Sequence, residues 1–118
     1  MRILVLDDSD ERLKEFKQNF IGNIVDCVKT AREAINKLTS EKYECIYLDH
    51  DLGDRVFVPS GPGTGYEVAQ WLNQNPDRQP QLIIIHSFNP VGAKNMKSLL
   101  PNAVIAPGVW TKLDGGLA

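Results

Sequence analysis

Two acidic clusters, Asp7-Asp8 and Asp49-His50-Asp51, each close a short apolar run, and a third run closes in His86-Ser87. Carboxylates gathered in one crevice repel one another. A hard divalent cation relieves that repulsion while binding phosphate oxygens, and Mg2+ characteristically takes one or two carboxylates and completes its shell with water and substrate. Asp7, Asp8, Asp49 and Asp51 are therefore the candidate ligands for Mg2+ or Mn2+. The two histidines of the chain, His50 and His86, both stand beside these acids. Imidazole exchanges protons near neutral pH, which suits phosphodiester cleavage, where one group activates water and another protonates the leaving oxygen. His50, His86 and Asp49 are the candidate catalytic groups. A lone strand-end histidine more often makes a structural hydrogen bond, but two beside one acid cluster weigh against that reading.

Donors for phosphate oxygens lie close by. Ser87 and Asn89 follow His86, and backbone amides at the start of the next helix would add to them. Helix capping is the competing role for Asn89, as it is for Asp8 or Ser9 in the first helix. Arg55, in a loop, is the mobile cation best suited to a phosphoryl charge, although a solvated loop arginine is the plainer reading. Lys94 reads equally well as helix-surface solubility.

The elements that must position these groups can be read from periodicity. Ile3-Leu4-Val5-Leu6, Cys45-Ile46-Tyr47-Leu48 and Leu82-Ile83-Ile84-Ile85 have the length and continuous apolarity of parallel strands covered on both faces. Strands at about residues 2–6, 24–28, 45–48, 82–85 and 103–106 alternate with helical patterns, the signature of βαβ units. Leu13, Phe16 and Phe20 share one helical face, as do Ala34, Ile35 and Leu38, and Tyr66, Ala69 and Leu72. Thr30 and Glu33 form a T-x-x-E capping box. The third helix should close before Pro76, and a fourth should span about residues 91–99. In such sheets the functional crevice lies beyond the carboxyl ends of the strands, where these polar clusters fall.

Length bounds the rest. With 118 residues the chain is most simply a single domain, large enough to bury a core without a staple. A net charge of −2 gives no general surface for nucleic acid, so an anionic ligand needs a local cation. No run approaches the roughly 20 apolar residues of a membrane span, and no signal-peptide pattern opens the chain. The expected compartment is the cytoplasm, or the host cytoplasm for a viral source. Cys27 and Cys45 fall in strands and read as reduced core thiols. Trp71 and Trp110 read as packing residues.

The order βαβαβαβαβ, the acidic pair after the first strand, Asp49 after the third and a hydroxyl residue after the fourth resemble the response-regulator receiver domain across nearly the whole chain. That resemblance implies a flavodoxin-like sheet of order 2-1-3-4-5, with Asp7 and Asp8 as the metal-binding pair, Asp49 as phosphoacceptor and Ser87 as switch hydroxyl. Three departures stand out. Where receivers carry a lysine before a proline after the fifth strand, Ala106 precedes Pro107. Residues 53–64 replace a short loop and are long enough for a lid. The C-terminal helix is reduced to a few residues around Trp110 and Leu113.

Asp49-His50-Asp51-Leu52, Gly65-Tyr66-Glu67-Val68-Ala69 and His86-Ser87-Phe88-Asn89-Pro90, with Gly92 and Met96, are more specific. They resemble the receiver-derived family thought to process cyclic phosphates. The expectation is a metal-assisted phosphoesterase acting on a small cyclic nucleotide or a 2',3'-cyclic RNA end. A module that binds a phosphorylated ligand or a protein partner without turnover is the competing class. A phosphorelay receiver is the third, disfavoured by Ala106.

Overall fold

The computed structural model describes residues 1–108. The alternating runs become β1 (Arg2–Leu6), α1 (Asp10–Asn19), β2 (Ile24–Val28), α2 (Ala31–Ser40), β3 (Cys45–Leu48), α3 (Gly65–Gln74), a 3-10 turn (Pro76–Arg78), β4 (Leu82–Ile85), α4 (Pro90–Leu99) and β5 (Val104–Ile105). The short helix expected around Trp110 and Leu113 lies outside the described residues.

Each helix opens on a side chain that satisfies an otherwise orphaned amide. Ser9 Oγ accepts from the Arg12 amide at 3.2 Å, Thr30 Oγ1 from Glu33 at 3.1 Å, Thr64 Oγ1 from Tyr66 at 3.2 Å and Asn89 Oδ1 from Gly92 at 2.9 Å. Such caps contribute about 1 kcal/mol apiece. Pro90 then supplies a fixed φ at the first position of α4. Because α1 and α4 begin within a few residues of Asp7-Asp8 and of His86, their caps also set where those side chains stand.

All five strands are parallel, in the order β2-β1-β3-β4-β5, which is the flavodoxin-like arrangement. Alternation along each strand divides the core. Ile3, Val5, Cys45, Tyr47 and Ile84 meet Leu13, Phe16 and Phe20 on the α1 side, whereas Leu4, Leu6, Ile46, Leu48 and Ile85 meet residues of α2, α3 and α4 on the other. Cys27 and Cys45 are free thiols, and burial pushes that of Cys45 up to about 12. Trp71 packs, half-buried, against the larger cluster. Among the described residues no helix is long and apolar enough to cross a membrane.

Register brings the functional groups abreast. Leu6 pairs with Val28 and Leu48, and Leu48 with Ile85. The ladder runs one step further: the amides of Asp7, Asp49 and His86 donate to the carbonyls of Val28, Leu6 and Leu48 at 3.1, 3.1 and 3.0 Å. The three side chains therefore continue the Val5, Tyr47 and Ile84 phase, toward α1.

Two glycines let α3 and α4 close onto the end of β3. A Cβ on Gly65 would stand 1.8 Å from the Asp49 carbonyl oxygen, and one on Gly92 would stand 2.4 Å from His50 Cγ. Alanine gains about 1 kcal/mol of helix propensity over glycine, so a net loss reports the clash alone. Gly65→Ala and Gly92→Ala should each lower stability in urea titrations by about 1–3 kcal/mol. Gly61→Ala, whose methyl meets nothing within 4 Å, should stay within about 0.5 kcal/mol.

Candidate metal and phosphate site

At the carboxyl edge of the sheet Asp7, Asp49 and His86 offer ligand atoms that all lie within 4.8 Å of one another, and all three residues are buried. His86 Nε2 is 2.9 Å from Asp7 Oδ2. An ionised carboxylate only accepts, so Nε2 carries the hydrogen and donates it to Asp7. The imidazole packs edge-on against Phe16 and Tyr47, with centroids 5.4 and 6.1 Å away. Its Nδ1 is buried and has no hydrogen-bond partner among the described residues.

Asp7 is the most heavily bonded acid. It accepts from the Ser9 amide at 2.9 Å and from Arg12 as a fork, Nε to Oδ2 and Nη2 to Oδ1, both at 2.8 Å. Arg12 Nη2 also stands 3.6 Å from Asp49 Oδ2 and 3.8 Å from Asp8 Oδ1. One guanidinium thus touches three acids. Sequence reasoning missed Arg12, because the only signal was its i,i+4 spacing from Asp8, which is commonplace on helix surfaces.

The two central carboxyls titrate apart. Burial works to raise Asp7, but hydrogen bonds from His86, Arg12 and Ser9 outweigh it and hold the group at about 2. Asp49 accepts its neighbour's amide, from His50, at 2.9 Å. Burial pushes its carboxyl up to about 6, with the Asp7 charge adding to the rise and His86 and Arg12 opposing it. An acid kept from ionising by burial, with a neighbouring carboxylate adding to the effect, is the state a divalent cation relieves. The donor set of two carboxylates and an imidazole, without thiolate, fits such an ion. Asp7, Asp49 and His86 are the residues that would hold it.

Asp8 and Asp51, the other two expected ligands, are turned to the loop. Asp8 Oδ2 accepts from the Asp54 amide at 2.7 Å. Asp51 Oδ1 meets His50 Nδ1 at 2.7 Å and Asn89 Nδ2 at 3.0 Å, while Oδ2 accepts from the Phe57 amide at 2.6 Å. Those donors outweigh burial and hold the Asp51 carboxyl below its ordinary value.

The expected pairing of two imidazoles in one crevice is corrected. Consecutive residues at a strand end point to opposite sides, so Asp49 faces α1 and His50 goes toward α4. His50 is 0% exposed, with Nε2 2.9 Å from Ser60 Oγ. Asp51, His50 and Ser60 stand in the order of an acyl-transfer triad. However, the imidazole is enclosed and Asn95 Nδ2 already donates to Ser60 Oγ at 3.0 Å. The network pins the loop over residues 53–63. Asn89 likewise spends both ends of its amide on structure, capping α4 and donating to Asp51 and, at 3.1 Å, to the Val58 carbonyl. That occupancy corrects its expected role as a phosphate donor.

Ser87 and Arg55 do reach the cleft. A cavity of about 500 Å³ is lined by Asp8, Arg12, Asp49, Arg55, Ser87 and Phe88, among others. Ser87 Oγ accepts from the Asn89 amide at 3.0 Å, leaving its own hydrogen for another acceptor. Arg55 Nε donates to the Leu52 carbonyl at 3.1 Å, which anchors it at the margin. The long loop forms one wall rather than a closed cover, with Val56 and Phe57 exposed. Lys94 lines a separate groove with Ile105 and Pro107. Ala106 packs against the α1-side core, so the position after β5 brings no cation.

Sheet order and strand-end acids define a receiver-like domain. Residues 2–102 match the model of the cyclic-phosphate processing receiver domain, and the chain belongs to that family. A signal receiver domain from Vibrio parahaemolyticus is 25% identical with a TM-score of 0.69, over 92% of this chain and 78% of that one. Response regulator TrrA from Thermotoga maritima, solved with Mg2+-BeF, is 20% identical with a TM-score of 0.71, over 97% and 93%. Chemotaxis response regulator CheY4 of Vibrio cholerae is 16% identical with a TM-score of 0.70, over 93% and 88%. A search of curated proteins gave no match.

Linkage sets a test of the charge arrangement. Asp49 is raised from 3.8 to about 6 in the folded state. Between those values the fold keeps a proton the unfolded chain has released, so metal-free stability falls as pH rises through that window. Asp7, lowered to about 2, stabilises above pH 3.8 and loses that contribution as pH falls toward 2. Asp49→Asn should remove the decline between pH 4 and 6 and raise metal-free stability at pH 7 by at most about 3 kcal/mol. Urea titrations in EDTA across that range measure it. Mg2+ should narrow the difference, because only the wild type regains stability by binding it.

Proposed function

We propose that the domain hydrolyses a cyclic phosphodiester in the cleft at the ends of β1, β3 and β4, with a divalent cation bound by Asp7, Asp49 and His86. The observation that carries this reading is the convergence of those three buried residues at the base of a cleft that Asp49 lines and whose walls hold Arg12, Arg55 and Ser87. Family membership agrees with it. A bound cation would neutralise the carboxylates, polarise the phosphoryl oxygens and make water a better nucleophile.

The chain's own groups divide the remaining work. Arg55 and Ser87 orient phosphate oxygens, the arginine by its planar fork and the serine by its unspent hydrogen. In the metal-free protein His86 holds Asp7 through Nε2–H, and at 2% exposed it would serve the carboxylate or the cation rather than touch substrate. In the net reaction water adds to phosphorus, one ring P–O bond breaks, and a proton from water ends on the released oxygen. With both imidazoles enclosed, solvent in the cleft carries that proton.

A second reading has its own support. Asp49 after β3 and Ser87 after β4 occupy the positions of a phosphoacceptor and a switch hydroxyl in receivers, so the cleft could accept a phosphoryl group or hold a phosphorylated ligand without turnover. Ala106 weighs against a lasting phosphoaspartate. A missing lysine removes one charge-assisted contact, of order 1.5–3 kcal/mol.

The deciding experiment offers the purified protein 2',3'- and 3',5'-cyclic nucleotides and a 2',3'-cyclic RNA end with Mg2+ or Mn2+, and follows phosphomonoester by 31P NMR. Turnover should vanish in EDTA and in Asp49→Asn, and Ser87→Ala should lower kcat by roughly 100-fold. Binding without turnover across the panel, or a stable adduct on Asp49 after acetyl phosphate treatment in intact-mass spectra, would favour the second reading. His50→Ala should act through the loop instead: amide hydrogen exchange at residues 54–60 should quicken, while the shape of the pH–rate profile stays that of the wild type.

A further inference from the structure

We propose that Arg12 is a resident cation that competes with the divalent ion for the acidic crevice and, once displaced, clamps the phosphate oxygens of the substrate. The inference rests on the metal and phosphate reading of this cleft and assigns a regulating residue within it. Its basis is the position of one guanidinium, 2.8 Å from both oxygens of Asp7 and 3.6 and 3.8 Å from oxygens of Asp49 and Asp8. Two of the three residues that would hold the ion are therefore already in contact with a positive charge.

Arg12 cannot give way by losing its proton, since a guanidinium stays charged at all relevant pH. It must move. Its backbone is fixed in the first turn of α1, where its amide donates to Ser9 Oγ at 3.2 Å, so only the side chain can swing. A cation there lies beside the positive end of the helix dipole, an unfavourable place that the three acids make tolerable. When a divalent ion neutralises those acids, the guanidinium is left facing the ion and the helix terminus together, and both repel it. Its side chain is 30% exposed, which gives it a path outward.

The path leads into the same cleft. Arg12 shares its lining with Arg55 and Ser87, the groups assigned to phosphate. A planar fork that now pairs with the two oxygens of Asp7 has the geometry to pair with two phosphate oxygens. The exchange would order events: the ion enters and loosens Arg12, and the phosphate then recaptures it. Before the ion binds, the acids repel a phosphate and Arg12 is committed to them.

One substitution should therefore move two affinities in opposite directions. Mg2+ binding is measured by isothermal titration on the full chain for wild type, Arg12→Gln and Arg12→Lys, followed by titration of inorganic phosphate into each Mg2+-saturated protein. Arg12→Gln should bind Mg2+ roughly tenfold more tightly or better, and phosphate roughly tenfold more weakly or worse. Arg12→Lys keeps the charge but loses the fork, and should fall between the two in both titrations; it carries the test alone if the glutamine variant does not fold. Unchanged or weaker Mg2+ binding in the variants, with the wild type still binding, overturns the competition and leaves the metal reading standing. Unchanged phosphate affinity overturns the clamp. Failure of wild type and variants alike to bind Mg2+ overturns the metal reading and this inference with it.

Discussion

Like charge brought close together out of water is the constraint around which this molecule is arranged. A parallel register sets Asp7 beside Asp49 because each follows its strand by one residue, and the apolar runs that build the sheet make the place poorly solvated. Two carboxylates there cannot both ionise without compensation. Asp7 is supplied with it by His86, Arg12 and Ser9, whereas Asp49 is left to hold its proton toward neutral pH. The arrangement keeps one acid charged and leaves the other in need of a cation.

The surrounding structure serves that pair. Phe16 and Tyr47 wall in His86, so its Nε2–H is held on Asp7 rather than exchanged with water. On the opposite side of the sheet, His50, Asp51, Asn89, Ser60 and Asn95 form a separate polar network that ties the long loop to α4. Gly65 and Gly92 permit it, since a methyl at either would push α3 or α4 away from the end of β3. The histidines thus do related work on two faces, each fixing a carboxylate, and neither imidazole lines the cleft, which Asp49 and Asp51 reach.

Much of this was legible in the sequence, and the failures have a common origin. Continuous apolar runs, the T-x-x-E box at Thr30 and Glu33 and the alternation of periods identify the five strands and four α-helices of the described residues, though not the 3-10 turn at Pro76–Arg78, and the strand-end position of Asp7, Asp49 and His86 locates the crevice. What a linear reading could not supply was direction at the strand ends. Asp49-His50-Asp51 reads as one cluster along the chain, yet the backbone sends its members to different faces, and the loop claims Asp51. Asn89 was legible as a cap or as a phosphate donor, and its amide proved to be fully used by α4 and the loop. Arg12 was invisible for the opposite reason. A single arginine on an amphipathic helix looks solvated until the fold brings Asp7, Asp8 and Asp49 around it.

Where a divalent cation binds is the point on which everything functional turns. Manganese titrated into 15N-labelled protein, with amide signals followed by NMR, tests this most directly, because paramagnetic broadening falls off steeply with distance from the ion. The expected result is early loss of the signals of Asp7, Asp8, Asp49, His50, His86 and Ser87, while Glu44 and Leu82, at the opposite edge of the sheet, persist. Broadening that spares the carboxyl edge, or begins at the opposite one, would contradict a cation site built from Asp7, Asp49 and His86.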